Sequence, residues 1–356
     1  MQLINLIMKK IIVTGGSGFI GTNFIFHQLT NTSNKVLNYD KLTYAGNTQN
    51  HKENKENENY SFIEGDIADN VKIKKVFSTF KPDILVNFAA ETHVDRSIDG
   101  PEVFVNTNIV GTLNLLKVSQ QWIDSNPSFK FIHVSTDEVY GSLNTNDLPF
   151  TESHPYKPNS PYSASKASSD FFVRAWHKTH GLSTIITNCS NNYGPYQFTE
   201  KLIPLMIANC LDNKPLPIYG NGENIRDWLY VEDHCNAITL VLENGKIGET
   251  YNLGGNNEIK NIDIVQNICM ILDKLKPRAN KSSYKQLITY VEDRPGHDFR
   301  YAIDSSKIQK TLEWKPIESF ETGIYKTIEW YLENEPWWRK IQKKYYNQER
   351  LGLKDT

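Results

Sequence analysis

Cysteine is scarce in this chain of 356 residues, and the four present, Cys189, Cys210, Cys235 and Cys269, form no C-x-x-C pair. A zinc or dithiol redox site built on such a pair is therefore excluded, and the four are expected as buried thiols. No run approaches the roughly 18 uninterrupted apolar residues of a membrane span. The apolar stretch within Met1 to Met8 is broken by Asn5 and meets Lys9-Lys10 with no small-residue cleavage site, unlike a signal peptide. The expected location is the cytoplasm, with no membrane partner. An excess of one charge is lacking too. With 39 Lys+Arg against 41 Asp+Glu, the formal net charge is −2, too weak a field for a polyanion-binding surface, so nucleic acid is not expected as a partner. There is no internal repeat. What remains is 39% hydrophobic and 12% aromatic, suited to a packed core and long enough for two domains at roughly 150 residues each.

Along the chain, short β-branched or apolar runs alternate with helix-spaced segments. Lys10-Ile11-Ile12-Val13-Thr14 reads as a strand that ends in Gly15-Gly16-Ser17-Gly18-Phe19-Ile20-Gly21 and passes into a helix through Leu29. Further strands are expected at Val36 to Tyr39, Ser61 to Glu64, Ile84 to Phe88, Lys130 to Val134 and Ser183 to Thr187. Helices are expected at Asn70 to Phe80, Val103 to Trp122 and from Tyr162 onward. Such alternation predicts βαβ units, hence an α/β fold with a doubly wound parallel sheet and helices on both faces. Two segments break it. Gly46 to Asn59, crowded with Asn, Lys and Glu, reads as a solvated loop and is assigned no function. From Tyr193-Gly194-Pro195 onward, Pro204, Pro215, Pro217 and the Gly220-x-Gly222 turn punctuate shorter elements, which indicates a smaller C-terminal lobe of mixed α/β type. The tail from Trp314, with Trp330, Trp337, Trp338, Tyr345 and Tyr346, reads as a docking helix rather than a ligand cage. The expected division is 8–192, with a partial return near 225–255, and 193–356.

A strand followed by Gly15-x-x-Gly18-x-x-Gly21 suits a dinucleotide. Without Cβ atoms the chain can turn sharply, its N–H groups can approach a pyrophosphate, and the helix can pack closely on the sheet. The helix N-terminus then attracts the phosphates. Alone, the motif also fits a plain tight turn. Asp40, at the end of the second strand, adds a carboxylate that can accept hydrogen bonds from the adenosine ribose and would repel a 2′-phosphate, which favours NAD over NADP. Asp66-Ile67 reads as an adenine contact, and Phe88-Ala89-Ala90 offers small side chains where the cofactor must pass close to backbone.

Tyr162-Ser-Ala-Ser-Lys166 opens a helix, and its i, i+4 spacing puts a phenol and an ammonium on one face. A tyrosine with a reference pKa of roughly 10 can act as a base near neutrality only if nearby positive charge, here Lys166 and a cationic nicotinamide, favours the phenolate. The fifth strand ends in Ser135-Thr136-Asp137-Glu138-Val139-Tyr140-Gly141, delivering a hydroxyl and two adjacent carboxylates to the edge where doubly wound sheets bind ligands. Hydride transfer needs only the hydroxyl. Two further acids imply a second proton-transfer step, one donating and one accepting, with the environment separating their pKa values.

Together these residues resemble the nucleotide-sugar branch of the extended short-chain dehydrogenase/reductase family, whose NAD-binding domain is a Rossmann fold. The likeness runs nearly the whole chain, through Ala89-Ala90-Glu91-Thr92-His93-Val94-Asp95-Arg96-Ser97, Asn188-Cys189-Ser190-Asn191-Asn192-Tyr193-Gly194-Pro195, Glu200-Lys201-Leu202-Ile203-Pro204, Arg226-Asp227-Trp228 and Asp293-Arg294-Pro295-Gly296-His297. The Thr-Asp-Glu triplet discriminates most, because sugar 4-epimerases of this fold carry small residues in place of the two acids. The resemblance implies an NAD-dependent 4,6-dehydratase with dTDP-glucose as substrate and NAD tightly bound and regenerated each cycle. In it, Tyr162, assisted by Lys166 and Thr136, takes the sugar 4-hydroxyl proton, Glu138 takes the C5 proton and Asp137 protonates the departing 6-hydroxyl. It places Phe19, Ile20, Asp40, Lys41, Leu42, Thr43, Asp66, Ile67, Phe88, Ala89, Ala90, Glu91, Thr92, Thr107, Tyr162, Lys166 and Asn191 against NAD. It places Thr92, His93, Arg96, Thr136, Asn192, Glu200, Lys201, Leu202, Pro217, Ile218, Tyr219, Arg226, Asn261, Asp293, Arg294 and His297 against the nucleotide sugar, Arg226 and Arg294 as diphosphate partners and neither His93 nor His297 as a metal ligand. It also implies a homodimer through a helix bundle, with Val103 to Trp122 and Ser163 to His180 as the segments. The family begins shortly before the first strand, so Met1 to Ile7 is expected as an extension, with Met8 the alternative start. The alternatives are a dehydratase of a UDP- or GDP-sugar, a 4-epimerase, and a non-catalytic NAD-binding regulator.

Overall fold

The structure is a computed structural model that describes residues 8–345; Met1 to Ile7 and Tyr346 lie outside them. The apolar runs form β1 (Lys10–Thr14), β2 (Lys35–Asp40), β3 (Tyr60–Glu64), β4 (Ile84–Asn87), β5 (Lys130–Thr136) and β6 (Thr184–Cys189). Between them lie α1 (Phe19–Asn31), α2 (Asn70–Phe80), the consecutive α3 (Val94–Asp99), α4 (Pro101–Phe104) and α5 (Thr112–Ile123), and α6 (Pro161–His180). The remainder forms β7 (Asn191–Tyr193), α7 (Leu202–Leu211), β8 (Leu216–Tyr219), β9 (Ile225–Tyr230), α8 (Val231–Asn244), β10 (Thr250–Leu253), β11 (Glu258–Lys260), α9 (Asn261–Leu275), β12 (Ile288–Val291), α10 (Ser306–Leu312), α11 (Phe320–Glu333) and α12 (Glu335–Tyr345).

Seven strands make one sheet in the order β10-β6-β5-β4-β1-β2-β3, every neighbouring pair parallel. Strands such as Ile11-Ile12-Val13 are apolar on both faces because helices cover both. Phe24, Ile25, Ile238 and Val241 pack one side of the sheet, and Ile73, Phe77, Leu115 and Val173 the other. A third apolar cluster joins α7, α9 and α11 to the three-stranded sheet β11-β9-β7 and the pair β12-β8. Trp330, Trp337 and Trp338 pack in or against that cluster, whereas Trp314 is buried in the core of the large sheet. All four cysteines are free and buried.

One expectation is borne out with an added feature and one needs correction. The helix expected over Val103 to Trp122 is present, but its α4 and α5 parts are joined through a π-helical segment, Val105–Gly111. A Cβ on Gly111 would lie 2.5 Å from Ile67 Cγ1, so this close approach requires glycine. The loop expected as solvated over Gly46 to Asn59 carries a 3₁₀ segment, Thr48–Glu56, in which Asn50 and His51 are buried against the glycine turn. Composition hid them, because the lysines and glutamates around them do face solvent.

Candidate active site

One cavity runs along the carboxyl ends of the sheet strands. At the cofactor end, Gly15 has φ +69°, and a Cβ there would lie 2.7 Å from the Ala89 nitrogen; a Cβ on Gly21 would lie 2.3 Å from the Gly15 oxygen. Close backbone packing requires both glycines, whereas Gly18 faces the opening. The Asp40 carboxylate is fixed by the N–H groups of Ser17 at 2.9 Å and Leu42 at 2.7 Å. Burial raises its pKa, and those two donors oppose the rise. Lys41 pairs with Asp66 at 2.7 Å. Every residue expected along the cofactor lines the cavity except Leu42, whose N–H instead holds Asp40.

At the other end, the main chain after β5 turns so that Thr136, Asp137 and Glu138 enter the same cavity as Tyr162 and Lys166. Ser160 caps α6 reciprocally with Ser163, and Pro161 occupies its first turn, which fixes where Tyr162 emerges. Burial pushes the Asp137 carboxyl well above its usual range, and the neighbouring Glu138 and Asp227 push it further. Its Oδ2 is buried without a protein partner. Burial also raises Glu138, but Arg294, Arg226 and Lys201 oppose that rise. Position thus separates the two acids: both are raised, Asp137 further, so Asp137 is biased to hold its proton and Glu138, facing three cations, is the first of the two to ionise.

The Tyr162 phenol lies beside Thr136 and Glu138 in this cavity. Burial and then Glu138 push its pKa up, and the protein group that opposes them is the Thr136 hydroxyl, hydrogen-bonded to it. Lys166 instead donates to the Val134 carbonyl at 2.8 Å. Lys166 is itself lowered by burial and raised by Asp170, one turn further along α6. Asp170, missed by sequence reasoning, is fully buried. It accepts from Ser135 Oγ at 2.8 Å and lies 3.3 Å from His133 Nε2. Its signal was the spacing: Tyr162, Lys166 and Asp170 recur every four residues on one helical face.

Of the residues expected along the nucleotide sugar, Thr92, Thr136, Asn192, Glu200 and Lys201 line the cavity. The others lie outside its lining. His93 is buried, and burial with Lys201, Arg96 and Arg294 nearby pushes its pKa well down. Arg96 pairs with Glu200 at 2.9 Å, and Leu202 opens α7. Pro217, Ile218 and Tyr219 belong to β8, with the Tyr219 hydroxyl 3.2 Å from Asp95. Arg226 donates to the carbonyls of Ile225, Phe299 and Asp298 and lies over the Tyr301 ring. Arg294 pairs with Asp95 at 2.7 Å, and Asp293 accepts from His297 at 2.6 Å. Asn261, the first residue of α9, keeps a buried Oδ1 without a protein partner.

A glycine turn under a helix N-terminus, an anchored acid at the next strand end and a tyrosine-lysine pair beside two acids define an NAD-dependent enzyme of Rossmann fold. The residues fit that cofactor: the turn opens at Gly18, and Asn191 presents to the cavity an Oδ1 without a protein partner. The model of the GDP-mannose 4,6 dehydratase family matches residues 12–327, and the chain belongs to that family. It is 54% identical over 352 residues, 97% of this chain and 99% of the relative, to dTDP-glucose 4,6-dehydratase of Neisseria meningitidis serogroup B. It is 56% identical over 341 residues, 92% of this chain and 94% of the relative, to dTDP-glucose 4,6-dehydratase 1 of Escherichia coli strain K12. Among solved structures, dTDP-glucose 4,6-dehydratase of Streptomyces venezuelae with NAD and TYD bound superposes with a TM-score of 0.86 at 43% identity, covering 93% of this chain and 99% of that one. A UDP-glucose 4-epimerase of Thermotoga maritima superposes with a TM-score of 0.81 at 27% identity, over 92% of this chain and 99% of that one.

Proposed function

We infer that this protein is an NAD-dependent hydro-lyase that converts dTDP-glucose to dTDP-4-dehydro-6-deoxy-glucose and water. The observation that carries it is the pair of adjacent acids, Asp137 and Glu138, in one cavity with Tyr162, Thr136 and Lys166. Bound NAD supplies a hydride acceptor for the sugar C4 and the donor that returns the hydride to C6, so the sugar undergoes no net redox change. Tyr162, hydrogen-bonded by Thr136, takes the proton of the 4-hydroxyl. The 4-ketone acidifies the C5 proton, which Glu138 removes, while Asp137 hands its proton to the departing 6-hydroxyl, releasing water. C5 is reprotonated as the hydride reaches C6. A 4-epimerase would have no use for the two acids, and this distinguishes the reading from the epimerases that share the fold.

The residues that hold the sugar nucleotide follow from charge. Arg226, Arg294 and Lys201 converge on Glu138 and supply the positive field a diphosphate needs. The chain divides into an NAD-binding part, the seven-stranded sheet with its helices including α8 and β10, and a smaller sugar-binding part. Val103, Val105, Val110 and Phe171 stay exposed on the α4–α5 segment and α6, and a second copy of the chain covers them in a homodimer. Light scattering that returned the monomer mass would remove the dimer. Among the described residues no helix is long and apolar enough to cross a membrane.

The decisive experiment is incubation of the purified protein with dTDP-glucose, without added cofactor, and mass spectrometry of the sugar nucleotide. Loss of about 18 mass units, one water, is expected from the paired acid-base groups. An isomer of unchanged mass makes the protein an epimerase, and no reaction directs the assay to UDP- and GDP-glucose.

A further inference from the structure

The segment between β2 and β3, assigned no function on composition, joins the glycine turn to α12, the last helix among the described residues. The Gly16 carbonyl accepts from His51 Nε2 at 2.8 Å, and the Ser17 carbonyl accepts from the Asn47 N–H at 3.0 Å and from Asn50 Nδ2 at 3.2 Å. Asn50 Nδ2 also donates to Thr22 Oγ1 at 3.0 Å, and Asn50 Oδ1 accepts from the Trp337 indole N–H at 2.8 Å. Asn50 is 5% exposed and His51 2% exposed, so these polar groups have no water to replace a lost partner. Burial drops the His51 pKa to about 4, which keeps the ring neutral with its proton on Nε2, facing the Gly16 carbonyl. Rings continue the connection: Trp337 packs on Trp330 and Tyr196 with centroids 5.1 and 5.6 Å away, Tyr196 on Phe26 at 5.5 Å, and Phe26 on His51 at 5.5 Å.

A glycine turn left to itself samples many conformations. A peptide carbonyl held from outside also fixes the N–H on the opposite side of the same planar unit: here that of Ser17, which holds the Asp40 carboxylate, and that of Gly18, which closes the turn on the Gly15 carbonyl. We propose that Asn50 and Trp337 are positioning residues that hold the pyrophosphate-binding turn in its binding shape, so that a helix of the sugar-binding part sets how slowly NAD leaves. The proposal rests on NAD as the resident cofactor. It assigns the polar loop and α12 a task that neither segment's composition suggested: preorganisation of the turn lowers the ordering cost of binding and lengthens the residence of the cofactor.

The test loads the full-length protein with radiolabelled NAD and follows exchange against excess unlabelled NAD by rapid desalting. Trp337→Phe keeps a ring against Trp330 and Tyr196 but leaves Asn50 Oδ1 buried without a donor. It is expected to release NAD about tenfold faster than the parent chain, the effect of one buried bond lost. Asn50→Ala is expected to release it faster still. Thermal melts of the NAD-free proteins run alongside. If both variants melt earlier but exchange at the parent rate, the contact is structural only and the inference is overturned. Failure of the parent chain to take up NAD overturns the inference together with the cofactor reading.

Discussion

The two ends of the cavity are built differently. The cofactor end is made chiefly from main chain at strand ends of one sheet: glycines whose Cβ atoms would strike backbone, and an acid held by N–H groups at the end of β2. The sugar end depends on charged side chains that meet across long stretches of chain. Arg96 and Glu200 are 104 residues apart, and Asp95 and Arg294 are 199 apart. Backbone geometry responds steeply to steric change and little to charge, whereas buried ion pairs respond to the loss of either partner. Substitutions in the two regions should therefore separate chemistry, cofactor retention and sugar affinity.

The largest effect is expected where the two regions meet. Glu138→Gln should cut formation of the dehydrated sugar by roughly 1000-fold, within the range for a positioned base, while NADH absorbance still rises on adding dTDP-glucose. Product at the parent rate would remove Glu138 from its role. Because burial raises the Glu138 pKa, and a base works only when ionised, kcat should fall on acidification at a pH above that of an ordinary glutamate. An acid limb at the usual carboxylate position would contradict this environment. Tyr162→Phe should slow the first oxidation by roughly 100-fold, read as NADH formed in a single turnover. Near-normal NADH formation would pass the base role to another group. Asp95→Asn should raise KM for dTDP-glucose by roughly tenfold through loss of the charge that holds Arg294, with kcat affected less. Equal losses in both constants would place Asp95 in the chemistry instead.

Much of this was legible because it is local. The glycine turn with Asp40, the Thr136-Asp137-Glu138 strand end and the Tyr162-Lys166 pair each lie within one strand–turn–helix passage, where spacing alone determines which side chains share an edge. The resemblance to a known family supplied the residues expected along the sugar nucleotide, which no local pattern links. The π-turn at Val105–Gly111 escaped a reading based on a helical period of 3.6, and so did the close approach of Gly111 to Ile67, which comes from a distant segment. That Lys166 reaches the Val134 carbonyl while Thr136 opposes the rise in the Tyr162 pKa depends on which oxygen each side chain meets after folding.

The sequence by itself determined the alternation of strands and helices, the parallel sheet and the order in which acid, base and nucleotide turn arrive at its edge. All of these follow from hydrophobic period, glycine's freedom and helix register, which act within a few residues. Only the tertiary structure decided that Glu138 faces three cations while Asp137 does not, that Asp170 meets Ser135 and His133, and that Trp337 reaches Asn50 across 287 residues. Those outcomes depend on desolvation and on hydrogen-bond partners distant in the chain, which burial brings together and no spacing in the sequence records.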